Sequence, residues 1–248
     1  MSQSVQSMEN EAVLPAEALT DLFDLLVQAG FQPVGPTVQD GRLVLDILGS
    51  ASDLPRGWTT DADAGRFRLT RRQDEAFFGF NLGQESWKKF LFPAEEPLFR
   101  TQIQKTGPTF QPIADQAPPY ALIGVRACEL AALGVHDRTL LMGPHQDPLY
   151  AGRRHALFIV AVNCTESDAA CFCASLGTGP KVEKGFDLAL TELVQNDGQH
   201  FLVQAGSPQG EAMLAKLPRQ PVTADQHDQA RELVRQAARS QTRTIQTK

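Results

Sequence analysis

Leu19, Leu22, Phe23 and Leu26 recur at helical spacing within 15–29, and Gly30 stands where such a helix would stop. Two apolar segments follow, 31–38 and 42–48, joined at Asp40-Gly41, a dipeptide that favours tight hairpins. The stretch 50–65 is rich in Asp, Gly and Pro and reads as an irregular loop. A second hairpin is expected from 66–71 to 76–81, because Phe67 and Leu69 alternate with Arg66 and Arg68. Ser86 to Phe92 is short, aromatic and closed by Pro93, which fits a helical turn anchored in the core.

The pattern grows more regular in the second half. Residues 120–125 read as a buried strand, followed by helical periodicity over 126–135. Ala-Leu-Phe-Ile-Val-Ala-Val over 156–162 is a nearly continuous apolar run of strand length, as in a strand covered on both faces of a parallel sheet. Segments 186–193 and 199–204 flank Asn196-Asp197-Gly198, a further hairpin signal. A helix is expected from 207 or 208 to 217, and Thr223-Ala-Asp-Gln226 matches a capping box opening a last helix over 224–240. The expected fold is α/β: a mixed sheet with N-terminal antiparallel hairpins and a more parallel C-terminal half. The expected organisation is a polar tail over 1–14, one mixed domain over 15–222, and a terminal helix and chain end over 223–248.

Composition narrows the function classes. At 248 residues with 42% hydrophobic and 21% charged side chains, the chain has the make-up of a folded globular protein. A formal net charge of −6 speaks against general affinity for nucleic acid. No apolar run approaches the ~20 residues of a membrane span. The first residues, Met-Ser-Gln-Ser-Val-Gln-Ser-Met-Glu-Asn-Glu, lack the basic and apolar parts of a secretory signal, so a cytoplasmic location with reduced thiols is expected.

The cysteines are where chemistry concentrates. There are four, and all lie between positions 128 and 173. Cys128 and Cys164 each follow a predicted strand, so parallel neighbours would set them side by side at the carboxyl ends, the usual ligand edge of an open α/β sheet. Cys171-Phe172-Cys173 is near enough to Cys164 to fold back over the same point, and Gly177-Thr178-Gly179-Pro180 lets the backbone approach closely. Four converging thiolates fit a 4Fe-4S cluster, with one thiolate per iron, or a structural zinc. Buried free cysteines or two disulfides are the other readings. Only one close pair exists, Cys-x-Cys, which matches neither the usual zinc spacing nor the bacterial ferredoxin run.

Several segments nevertheless resemble one family. They are Gly-Val-Arg-Ala-Cys-Glu-Leu-Ala-Ala-Leu at 124–133, Asn-Cys-Thr-Glu at 163–166, and Cys-Phe-Cys-Ala-Ser-Leu-Gly-Thr-Gly-Pro at 171–180. Val-Gly-Pro-Thr-Val-Gln-Asp-Gly at 34–41, Asp-Leu-Pro-Arg-Gly-Trp-Thr at 53–59, Trp-Lys-Lys-Phe-Leu-Phe-Pro at 87–93 and Gly-Phe-Asp-Leu-Ala-Leu-Thr at 185–191 extend the match. From about residue 20 onward the chain resembles the iron–sulfur electron-transfer subunit of cytoplasmic hydrogenase–sulfur reductase complexes, the sulfhydrogenase beta subunit, and its counterpart in anaerobic sulfite reductase. The resemblance implies one 4Fe-4S cluster on Cys128, Cys164, Cys171 and Cys173. It also implies a relay between a flavin-containing, NAD(P)H-reactive subunit and a hydrogenase or sulfite reductase catalytic subunit, rather than catalysis by this chain alone. Members of that family usually continue into a ferredoxin-like domain with two more clusters; here the sequence stops at Ile245-Gln246-Thr247-Lys248. The competing function is a zinc-stabilised structural or interaction subunit without a redox role. A small-molecule enzyme using the cluster as a Lewis acid lacks an evident acid–base pair.

The remaining motifs carry less. Asn163-Cys164-Thr165 matches a glycosylation sequon by accident if Cys164 is a ligand. His136 and His145 read as surface or loop histidines, and Arg126 and Glu129 as an ion-paired surface couple beside Cys128. Gly177-Thr178-Gly179-Pro180 is no phosphate-binding loop, and could be a plain turn or a source of backbone N–H groups for sulfur. Arg231, Arg235, Arg239 and Arg243 form a basic stripe at four-residue spacing, expected to be solvated.

Overall fold

The computed structural model describes residues 10–83, 85–113, 117–195 and 198–246. In chain order its strands are β1 (Glu11–Pro15), β2 (Gln32–Gln39), β3 (Arg42–Ile47), β4 (Trp58–Asp63), β5 (Arg66–Arg71), β6 (Phe99–Gln104), β7 (Gly107–Pro112), β8 (Tyr120–Arg126), β9 (Phe158–Val162), β10 (Leu188–Gln195) and β11 (Gly198–Ala205). Its helices are α1 (Ala18–Gln28), α2 (Lys88–Leu91), α3 (Ala127–Leu140), α4 (Pro148–His155), α5 (Pro208–Leu214) and α6 (Ala224–Arg239).

Seven strands form one mixed sheet in the order β1-β11-β10-β9-β8-β2-β3. Its centre is parallel: β2 pairs with β8, β8 with β9 and β9 with β10. Every residue of β9 is buried, which is why the sequence there is apolar without alternation. The margins are antiparallel, with β3 on β2 at one side and β11 then β1 beyond β10. Parallel and antiparallel pairing therefore divide by centre and edge of the sheet, not by first and second half of the chain.

Helix α1 lays Leu19, Leu22, Phe23 and Leu26 into the core, each 2% exposed or less. Burying a side chain of this size contributes about 1.5–3 kcal/mol. The other face near β10 and β11 is covered by α6, where Ala230 packs against Leu193 and Leu202. Thr223 and Gln226 close the expected capping box at its start. Asp40 (φ 50°) and Gly41 (φ 73°) both take the left-handed conformation that the tight turn between β2 and β3 demands.

Three expectations are corrected. The polar tail over 1–14 ends early: Glu11–Pro15 is β1, and Ala12, Val13 and Leu14 are buried against β11, while residues 1–9 lie outside the described residues. The loop over 50–65 contains β4, and β5 pairs with β4 through the turn at Gly65, not with 76–81. The β6–β7 hairpin and α4 have no counterpart in the sequence reading. The Asn196-Asp197 turn lies outside the described residues, although β10 and β11 pair up to Gln195 and Gly198 on either side of it.

Candidate functional site

Parallel pairing brings the ends of β8 and β9 together. Arg126 is opposite Val162, so Cys128 in the first turn of α3 and Cys164 each lie two residues beyond a paired position. A register shift between Ile123 and Val125 accommodates Gly124, whose φ of 91° and contact with Phe78 leave no room for a side chain. From Cys164 the chain runs through Asp168, whose carbonyl accepts from Cys171 N and whose carboxylate accepts from Ala170 N. It then makes a single 3-10 turn over Cys173–Leu176 and returns to Pro180, whose carbonyl accepts from Cys164 N at 3.3 Å. A Cβ on Gly179 (φ 157°) would lie 3.1 Å from both Cys173 Sγ and Ala127 Cβ, so this glycine holds the return strand close to a thiol.

All four cysteines are free thiols. Cys128 feels the charge of Cys164 and Cys173, and Cys171 that of Cys164, so the four belong to one electrostatic neighbourhood. Cys128 as a residue is exposed, yet the protein packed around its thiol pushes it up to about 12, with Glu129 and the neighbouring thiols adding to the rise. Burial also raises Cys164, while Arg126 pulls the other way. Cys171 is pushed up to about 12 by burial, and its Sγ lies 3.4 Å from the Asp168 carboxylate. Among the described residues no three Cys, His, Asp or Glu side chains converge on a single-ion position.

Arg126 is not the surface residue expected. It is 5% exposed, and among the described residues no carboxylate lies within ion-pair distance of its guanidinium. It donates to the carbonyls of Phe78 and Phe80, sits 5.9 Å and 5.7 Å from their ring centres, and points Nη1 at Cys164 Sγ at 3.9 Å. Glu129 accepts from Arg126 N in the helix cap, and burial raises its pKa. The loop carrying Phe78 is itself held by buried Glu192, which accepts from Phe77 N and Phe78 N. Gln241, just past α6, was invisible to sequence reasoning. Its Nε2 donates to Cys173 Sγ at 3.2 Å and its Oε1 accepts from Ala174 N at 2.9 Å.

Other expected features fall into place around this centre. Asn163 is committed to Thr191 and to Val182 N, so its side chain is structural. Gly177 N and Thr178 N close the 3-10 turn on Ala174 O and Cys173 O, which uses up two of the N–H groups considered for sulfur. His145 is exposed, whereas His136 helps line a cavity of about 180 Å³ beside Cys128, with Trp87, Glu129 and Leu133. In the basic stripe Arg235 and Arg239 pair with Glu232, and Arg243, beyond the helix, pairs with Asp63.

The fold defines an α/β protein with a mixed sheet of parallel and antiparallel strands, in which Cys128 and Cys164 follow two central parallel strands. No family model, curated protein or solved structure matches the chain. No helix among the described residues is long and apolar enough to cross a membrane.

Proposed function

We propose that this chain is a cytoplasmic electron-transfer subunit that holds one 4Fe-4S cluster on Cys128, Cys164, Cys171 and Cys173. The observation that carries the reading is the gathering of all four thiols of the chain at one edge of the parallel sheet, from three separate backbone segments. The donor set fits the group, and the Gly179 cradle keeps carbon away from Cys173 Sγ. Bound there, the cluster would accept and release single electrons without binding substrate. The chain's own part is to hold the partly buried thiols and aim side-chain donors at two of them. By resemblance, the partners are a flavin-containing, NAD(P)H-reactive subunit and a hydrogenase or sulfite reductase catalytic subunit.

The test is to purify the chain without oxygen and assay iron, acid-labile sulfide and zinc, with visible spectra before and after dithionite. Brown protein carrying about four irons that bleaches on reduction supports the reading. Colourless protein with one zinc replaces it by the structural-zinc alternative.

A further inference from the structure

Two side chains donate N–H toward sulfur without being proposed ligands: Arg126, two residues before Cys128, and Gln241, just past α6. We infer that Arg126 and Gln241 set the reduction potential of the group held by the four cysteines, Arg126 through Cys164 and Gln241 through Cys173. This rests on the cluster reading above.

Consider Arg126 first. A buried cation is costly unless an anion or a full set of acceptors compensates it. Arg126 has two carbonyls and two aromatic faces but no carboxylate within ion-pair distance among the described residues. The remaining guanidinium direction, Nη1, faces Cys164 Sγ. Four thiolates holding a cluster would bring negative charge next to this guanidinium. The loop that grips Arg126 leaves the guanidinium little freedom, so its field at sulfur is fixed.

Gln241 acts from the other side. The segment after α6 lies along the cysteine loop, where Ser240 Oγ meets Ser167 Oγ at 2.7 Å and Ile245 N donates to Ser175 Oγ at 3.1 Å. Within this strap, Ala174 N fixes the Gln241 carbonyl end and thereby turns its NH2 toward Cys173. A cation or an N–H donor at a ligand sulfur favours the more negative, reduced state. Both side chains therefore raise the potential.

The experiment is a redox titration of the anaerobically purified full chain and of variants R126Q, R126K, Q241A and R243A, with iron measured in each. R126Q should shift the reduction equilibrium about tenfold toward the oxidised state, which is about 59 mV for one electron. R126K, which keeps the cation, should recover part of that shift. Q241A should move it about threefold in the same direction. R243A breaks the strap's ion pair with Asp63 but keeps Gln241, and should leave the potential unchanged. If R126Q does not load iron, R126K and Q241A decide. Iron-loaded Arg126 and Gln241 variants at the wild-type potential overturn the inference and leave the cluster reading standing. A shift in R243A equal to that in Q241A removes Gln241 from it. Wild-type chain that binds no iron removes the cluster reading itself.

Discussion

Arg72 and Glu166 face each other through two contacts of 2.7 Å each, joining the end of β5 to the loop that begins at Cys164. Arg72 also holds both oxygens of Asp74, at 2.6 Å and 2.8 Å, so one guanidinium binds two carboxylates. The pair lowers the pKa of Asp74 and raises that of Arg72. It ties the cysteine loop at Glu166, while Gln241 holds it at Cys173 and Ala174.

That bridge can be weighed. Arg72 is largely buried while Glu166 is half exposed, so screening discounts the pair below a fully buried one. Arg72→Met leaves two neighbouring carboxylates without their cation and should lower stability by about 2 kcal/mol. Glu166→Gln keeps the Asp74 pair and should cost less than half as much. Urea unfolding of the metal-free chain measures both; equal losses would mean that the Asp74 contact carries nothing.

How far this architecture could be read from sequence varied with what each segment's pattern reports. The Asp40-Gly41 turn, α1 and β9 were legible because local chemistry or burial on both faces dictates their residues. Strands β4 and β5 lie mostly exposed, so no apolar alternation marks which segment pairs with which. The same holds for β6 and β7, whose Phe99 and Phe110 stack on each other but remain 55% and 63% exposed. Strand β1 depends on β11, almost the whole chain away. Helix α4 did carry a signal: Asp147 caps it and Pro148 opens it. Near the cysteines, the apolar runs marked the strands that precede Cys128 and Cys164. The burial of Arg126 was not, because its acceptors come from a loop near residue 80, and Gln241 was not, because only the path of the last helix brings it back.

Glu192 gives a pH prediction. Burial holds its pKa above the ordinary carboxylate value, against the pull of its hydrogen bonds from Phe77 N, Phe78 N and Gln199. The folded chain therefore binds this proton more tightly than the unfolded chain does. Its contribution to stability is complete below the unfolded pKa of about 4.3 and is lost as pH rises through the folded value. Glu192→Gln cannot titrate, so wild type should lose stability relative to the variant as pH rises above the unfolded pKa of about 4.3. Urea midpoints at a series of pH values test this, and an opposite slope would mean that the hydrogen bonds outweigh burial.

Gly179 offers a steric test. Gly179→Ala must accommodate a Cβ 3.1 Å from Cys173 Sγ in a conformation that residues with side chains rarely adopt. The expected cost is about 1–3 kcal/mol, together with reduced iron loading. Gly134→Ala, on α3 with open space at that position, is the control and should retain both. Full loading in Gly179→Ala would place the group away from Cys173.

The ligand assignment itself is tested most directly at Cys171 and His136, which lie at different edges of the site. Cys171 comes from the loop that folds back over Cys164, and its thiol has no side-chain partner other than the Asp168 carboxylate among the described residues. His136 lines the same cavity as Cys128 but is not one of the four cysteines. Cys171→Ser should lower iron and sulfide content sharply, since serine is a far poorer partner for iron than a thiolate. His136→Ala should leave both unchanged. Intact loading in the serine variant would mean that the cluster takes another fourth ligand. Loss in the alanine variant would point to His136 as that ligand and move the cluster toward α3.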